Sequence, residues 1–302
     1  MGRAAPVTCP GELVRIDDTS LWVVRRGRGL PVFVLHGGPG LDHHEFGDYL
    51  DPLGDRCELL FVDLRAQGRS EKAPSSTWTL ERMAQDVIML ARALGLERYA
   101  VLGHSYGAFV ALQNAVDFPG MTAATIVSSG LPSMRFFDAV EQNLAAFEPV
   151  SLREQVTSSW DREAEAATQE DVASLLHDQL PFQFGDPLDP RIEEYERRSE
   201  GAVFAPDVLR HFAASSYGGI ELEDRLGDVR SRVLVLAGRF DRVCLPVAAE
   251  AIAKGIPGSR LHVFEQSGHM TFVEQNEEYL RVVGDFLAEA ASSRARPPAP
   301  VA

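Results

Sequence analysis

The residues best suited to chemistry lie in Gly103-His104-Ser105-Tyr106-Gly107, a Gly-x-Ser-x-Gly between two apolar runs. Tyr99-Ala100-Val101-Leu102 before it is β-prone, and Ala108-Phe109-Val110-Ala111-Leu112 after it is helix-prone. A sharp strand-to-helix turn holds such a serine in a strained backbone geometry at the strand's carboxyl end, and glycine is needed on either side to avoid clashes. Serine becomes a nucleophile only when a base takes its proton, and the base needs an acid to orient it. Asp241 follows the apolar run at 233–237, in Gly238-Arg239-Phe240-Asp241; His269 follows the run at 261–264, in Gln266-Ser267-Gly268-His269. Between them there is room for one helix and one strand, so both loops emerge at the sheet edge where open α/β sheets gather their reacting groups.

The oxyanion formed by attack on a carbonyl needs preorganised donors. The backbone N–H of Tyr106, at the helix start, is one candidate. Gly37 or Gly38, in the glycine loop His36-Gly37-Gly38-Pro39-Gly40, is the other. The remaining histidines read as packing or surface groups: His36 shapes the glycine loop, His104 points away from the nucleophile, and His43 and His44 open a helix.

These loops require a frame, and the chain's periodicities supply one. Residues 11–26 read as a hairpin, followed by short apolar strands near 31–36, 59–63, 99–102, 123–127, 232–237 and 260–264. Helices are expected over 43–53, from Thr79 to Gly95, after Ser105, near 246–254 and near 276–290. Buried strands alternating with helices give an α/β fold with a mostly parallel, doubly wound sheet. Residues 131–226 break the pattern, being helical in character with twenty acids against eight arginines. The expected organisation is a core of residues 1–130 and 227–290, an inserted helical cap over 131–226, and a disordered tail from 291 to 302.

Composition excludes several functions. The chain has 302 residues and a net charge of −15, which argues against nucleic-acid and anionic-membrane partners. No apolar run is long enough to span a bilayer. Cys9, Cys57 and Cys244 are far apart and odd in number, as expected of free thiols in a cytoplasmic protein without a metal site or other cofactor. Nothing in the sequence fixes the oligomeric state.

The motifs together resemble the α/β-hydrolase fold and, more narrowly, the proline iminopeptidase (prolyl aminopeptidase) family. The chain order Ser105, Asp241, His269 is the order in which that fold carries its triad. The resemblance rests also on His36-Gly37-Gly38-Pro39-Gly40 and Asp63-Leu64-Arg65-Ala66-Gln67-Gly68-Arg69-Ser70, and it spans residues 11–290. It implies a metal-free serine aminopeptidase that releases an N-terminal residue, proline or another small or apolar one, from a short peptide or from a small-molecule aminoacyl amide in a biosynthetic tailoring step. Ser105 would then be the nucleophile, His269 the base and later the acid, and Asp241 its orienter, with Tyr106 and Gly37 or Gly38 as oxyanion donors. Two departures stand out. Ala66 replaces a usual glycine, and Arg242 stands where some members carry a glutamate for the substrate's ammonium. The resemblance leaves Glu200 and Asp207 as the cap acids for that role. The alternatives on the same scaffold are an esterase or lactonase, a C–C bond hydrolase, or a non-catalytic receptor. Haloalkane dehalogenase chemistry is disfavoured because Ser105 stands where it needs aspartate.

Overall fold

The computed structural model describes residues 10–292. Its centre is one eight-stranded sheet: β1 (Glu12–Arg15), β2 (Ser20–Gly27), β3 (Leu30–Leu35), β4 (Cys57–Val62), β5 (Ala100–His104), β6 (Ala124–Ser128), β7 (Arg232–Gly238) and β8 (Arg260–Phe264), in the order β1-β2-β4-β3-β5-β6-β7-β8. β1 and β2 form the expected hairpin and join β4 antiparallel; the other contacts are parallel. The inner strands are apolar on both sides because both faces are covered. Phe33 and Leu35 point into a core built with α1 (Leu80–Ala93), α2 (Tyr106–Asp117) and α8 (Pro246–Gly255). Val32 and Val34 point into another, with α9 (Thr271–Glu274) and α10 (Asn276–Ser292).

The helix starts follow local chemistry. Thr79 caps α1 by accepting the Arg82 N–H, and Gly95 ends it with φ 66°. The single helix expected over 43–53 is instead two 3-10 turns, His43–Phe46 and Asp51–Asp55. Gly47, at φ 49° and packed against the Arg198 carbonyl, breaks the first, and Pro52 opens the second. Ala291 and Ser292 still belong to α10, so the expected tail is two residues shorter at its start; its remainder lies outside the described residues.

Between β6 and β7 the chain makes a helical excursion: α3 (Asp138–Ala145), α4 (Val150–Arg162), α5 (Gln169–Gln183), α6 (Arg191–Arg198) and α7 (Pro206–Ala213). Its two ends meet at an isolated bridge between Ser133 and Glu221. Strand order reverses at β3, which lies between β4 and β5, and a crevice opens there beyond the strands' carboxyl ends. Leu35 registers with Gly103, placing the glycine loop beside Ser105.

The loop after β4 braces that crevice. Arg65 is fully buried, with Nε and Nη2 on the two Asp86 oxygens at 2.8 and 2.7 Å and Nη2 also 2.8 Å from Asp18. Ala66 beside it has φ 62°, the left-handed region, where alanine costs about 1–2 kcal/mol relative to glycine. Replacing Arg65 with methionine leaves the buried Asp86 carboxylate only Arg82, at 3.3 Å, and urea unfolding should register a loss of about 1–3 kcal/mol. A loss below 1 kcal/mol would show that the pair does not brace the loop.

Candidate active site

Ser105 sits at the tip of the turn between β5 and α2 with φ 52° and ψ −118°. The turn leaves no room for side chains on its neighbours. A Cβ on Gly103 would stand 1.9 Å from the Gly107 carbonyl oxygen, and one on Gly107 would stand 2.2 Å from that of Leu35. The Ser105 N–H donates to the Ser128 carbonyl at 2.9 Å, tying the turn to β6.

Asp241 and His269 follow the adjacent strands β7 and β8, and they meet. The His269 Nδ1–H donates to Asp241 Oδ2 at 2.9 Å, while Asp241 Oδ1 accepts the Val243 and Cys244 N–H groups. His269 is further fixed by its backbone: its N–H donates to the Gln183 carbonyl, and its carbonyl accepts from Ser129 Oγ. Burial disfavours a charged His269 ring, but the Asp241 charge and hydrogen bond, with Glu45 and Glu274, outweigh it and raise its pKa. Ser105 and His269 open into one cavity of about 260 Å³.

Gly38 and Tyr106 are the remaining residues expected to face Ser105. Gly38 lines the cavity, and Tyr106 is the first residue of α2, where no preceding turn offers its N–H an acceptor. Gly37 differs. Its N–H is committed to Glu45 Oε2 at 2.6 Å, which removes it as a free donor. His36 shapes the loop: its Nε2 accepts the Leu64 N–H at 3.0 Å and its Nδ1–H donates to the Gly37 carbonyl at 2.8 Å.

Glu200 and Asp207 do not reach the cavity. Both are exposed; Asp207 pairs with Arg210 in the first turn of α7, whose buried face is Val208, Leu209 and Phe212. The acids in the cavity wall are Asp42, Glu45, Glu163 and Glu196, and among the described residues no arginine or lysine lines it. Asp42 is balanced by Arg69 at 2.7 Å and His44 at 3.0 Å; burial would raise its pKa, but the hydrogen bonds from His44 and the Val203 N–H hold it at about 2. Glu196 pairs with His177 at 2.6 Å. Among the described residues Glu45 has no such partner: burial raises its pKa to about 7 against the pull of the Gly37 N–H and of His269. Glu45 and Glu163 have no sequence motif of their own. The regular helix expected over 43–53 also hid the turn that points Glu45 inward.

Arg242 turns away from the cavity. Its guanidinium donates to the carbonyls of Phe182, Phe184 and Gly185 at the end of α5. Glu274 completes this tether by accepting the N–H groups of Gly185 and Gly268 at 2.7 and 2.8 Å.

A family model described as the alpha/beta hydrolase fold matches residues 31–275. The chain belongs to that family. Among curated relatives, a proline iminopeptidase of Heyndrickxia coagulans is 28% identical over 268 residues, which is 86% of this chain and 91% of the relative. Among solved structures, the proline iminopeptidase of Mycobacterium smegmatis is 27% identical with a TM-score of 0.72, covering 93% of this chain and 99% of that one. An esterase from Exiguobacterium antarcticum superposes with a TM-score of 0.72 at 22% identity over 92% and 99%, a likeness of fold alone. No helix among the described residues is long and apolar enough to cross a membrane.

Arg242→Met should leave three carbonyls at the α5 end without their donor, at a cost of about 1–3 kcal/mol. Amide hydrogen exchange at Gly185 and His269 should accelerate. Unchanged protection at both would show that Arg242 does not hold α5 to the histidine loop.

Proposed function

We propose that this hydrolase is a serine aminopeptidase that releases one N-terminal residue from a short peptide or small aminoacyl amide, with the excursion over 131–226 as its cap. The observation that carries this reading is Glu45, a buried carboxylate beside Ser105 that no arginine or lysine among the described residues pairs with. An α-ammonium is two bonds from the carbonyl that Ser105 attacks, so its partner must lie against the serine. Glu45 meets that condition: its Oε1 and the Ser105 Cβ lie 2.5 and 3.1 Å from the point where a Gly37 Cβ would stand. A buried charge is costly until a counter-charge arrives, so an ammonium is favoured there and a carboxylate is excluded.

In this mechanism His269 takes the Ser105 Oγ proton as the oxygen attacks the carbonyl carbon. The oxyanion is received by the N–H groups of Gly38 and Tyr106, in place of the Gly37 donor that Glu45 occupies. His269 then gives its proton to the leaving nitrogen, the C–N bond breaks, and an acyl-enzyme remains. Water, deprotonated by His269, attacks that ester and frees the amino acid and Ser105. Asp241 holds the ring so that Nε2 faces the reaction.

Ser105→Ala should lower turnover by roughly 10⁴-fold or more without unfolding the protein. Free aminoacyl p-nitroanilides should be cleaved and their N-acetylated counterparts should not. Indifference to acetylation, or turnover confined to esters, would favour an esterase instead. Glu45→Gln should weaken kcat/KM for the free series by roughly 10- to 100-fold, far more than for p-nitrophenyl acetate.

The pH dependence has two parts. His269 must be neutral to act as base, so kcat/KM for every substrate falls as pH drops through its raised pKa. Only ionised Glu45 pairs with an ammonium, so aminoacyl substrates lose a second factor as pH falls through about 7. The acid limb of log kcat/KM should therefore approach a slope of about two for aminoacyl amides and about one for p-nitrophenyl acetate. Equal slopes would remove Glu45 from ammonium binding.

A further inference from the structure

With Asp42, Glu45 and Glu196 accounted for, one acid in the cavity wall remains unassigned. Glu163, at the end of α4, is 6% exposed. Its Oε1 accepts from Gln179 Nε2 at 2.8 Å and its Oε2 accepts from the Tyr217 hydroxyl at 2.6 Å. Both donors are neutral, so each oxygen is hydrogen-bonded while the charge is uncompensated. Nearby cations are committed elsewhere. Arg162 donates to Asp178 at 2.8 Å, and Arg210 donates to Asp207 and to the Ala166 carbonyl. Among the described residues no arginine or lysine pairs with Glu163. All three members of the triplet line the Ser105 cavity.

Position along α5 separates this acid from Glu45. The Gln183 carbonyl accepts the His269 N–H at 2.6 Å, which marks the catalytic level. Gln179 is one turn earlier, about 6 Å along the axis. Glu45 is held by the Gly37 N–H beside Ser105 while Glu163 is held by Gln179, so the two acids serve different parts of the cavity. Leu175, Leu176 and Leu180 line the wall beside the triplet and offer an apolar surface for methylenes. In that reading the residue to be released is the one bonded to the carbonyl at Ser105, so its side chain enters this cavity. A buried acid in that wall thus faces the released residue's side chain.

We propose that Glu163, held by Gln179 and Tyr217, is a specificity site for a side-chain amine, so that the preferred N-terminal residue is lysine-like or ornithine-like. This rests on the aminopeptidase reading. The side chain's three or four methylenes bridge the catalytic level and the triplet, and its ammonium supplies the missing counter-charge.

The test compares lysine p-nitroanilide with norleucine p-nitroanilide, which has a similar stem and no amine. The wild type should favour lysine by roughly 10-fold or more in kcat/KM. Glu163→Gln, isosteric and still able to hydrogen-bond its neighbours, should bring that ratio close to one, mainly through KM for lysine. A wild-type preference for norleucine, or a ratio untouched by Glu163→Gln in a variant whose thermal melt shows it folded, would overturn the site. Equal cleavage of lysine and Nα-acetyl-lysine p-nitroanilides would instead overturn the aminopeptidase reading beneath it. A binding readout covers the case of slow turnover. Lysinamide should protect Ser105 from a fluorophosphonate at roughly tenfold lower concentration than norleucinamide in the wild type, and equal protection would count against the site. Tyr217→Phe, which removes one donor and keeps the carboxylate, should retain a lysine preference that Glu163→Gln lacks. Equal loss in both variants would mean that packing, not charge, sets the preference.

Discussion

Glu45 keeps its carboxylate in contact with the Gly37 N–H while almost wholly removed from water, and among the described residues no arginine or lysine pairs with it. A charge in that position costs several kcal/mol unless something offsets it. The surroundings reduce the cost only in part. The Gly37 dipole and the nearby His269 ring stabilise the ionised form, and its pKa still rises to about 7. Because the same carboxylate withdraws Gly37 from solvent and substrate, the neighbouring Gly38 is left to face the cavity. One side chain thus takes up the Gly37 N–H and places a buried acid beside Ser105.

That arrangement depends on loops far apart in sequence being held at one sheet edge. The Asp63 carboxylate collects the His43 N–H and ring nitrogen and the Arg69 N–H, and Gln67 receives the Gly40 N–H at 2.6 Å. Arg65 anchors the same loop to α1 and to the β1–β2 turn through Asp86 and Asp18. On the other side, Arg242 and Glu274 bind the end of α5 to the loops that carry Asp241 and His269. The helical excursion is therefore fastened to the loops carrying Asp241 and His269 at the point where it walls the cavity. Its position bears directly on what the cavity admits.

Much of this was legible in the sequence. Each strand run is short, apolar and bounded by glycine or charge, so the sheet, the Ser105 turn and the two loops holding Asp241 and His269 follow from local pattern. What failed was helix phase and turn type. Gly47 and Pro52 convert an expected helix into two 3-10 turns, which brings Glu45 inward. Asp207 lies on the solvent side of α7 because Val208, Leu209 and Phe212 claim the buried side, and Glu200 follows the exposed end of α6. Twenty acids in one segment gave no means of choosing Glu163, whose partners Gln179 and Tyr217 are 16 and 54 residues away. Arg242 showed in sequence only as a missing glutamate; its role as a tether is set by carbonyls of α5, which carry no side-chain signature.

The most direct measurement is a crystal structure of Ser105→Ala with a bound aminoacyl amide such as lysinamide. The expected result is the α-ammonium within hydrogen-bonding distance of Glu45, with the carbonyl oxygen facing the Gly38 and Tyr106 N–H groups. An α-ammonium turned toward solvent or onto another acid, with Glu45 engaging Gly37 alone, would contradict the role of Glu45 on which the aminopeptidase reading rests.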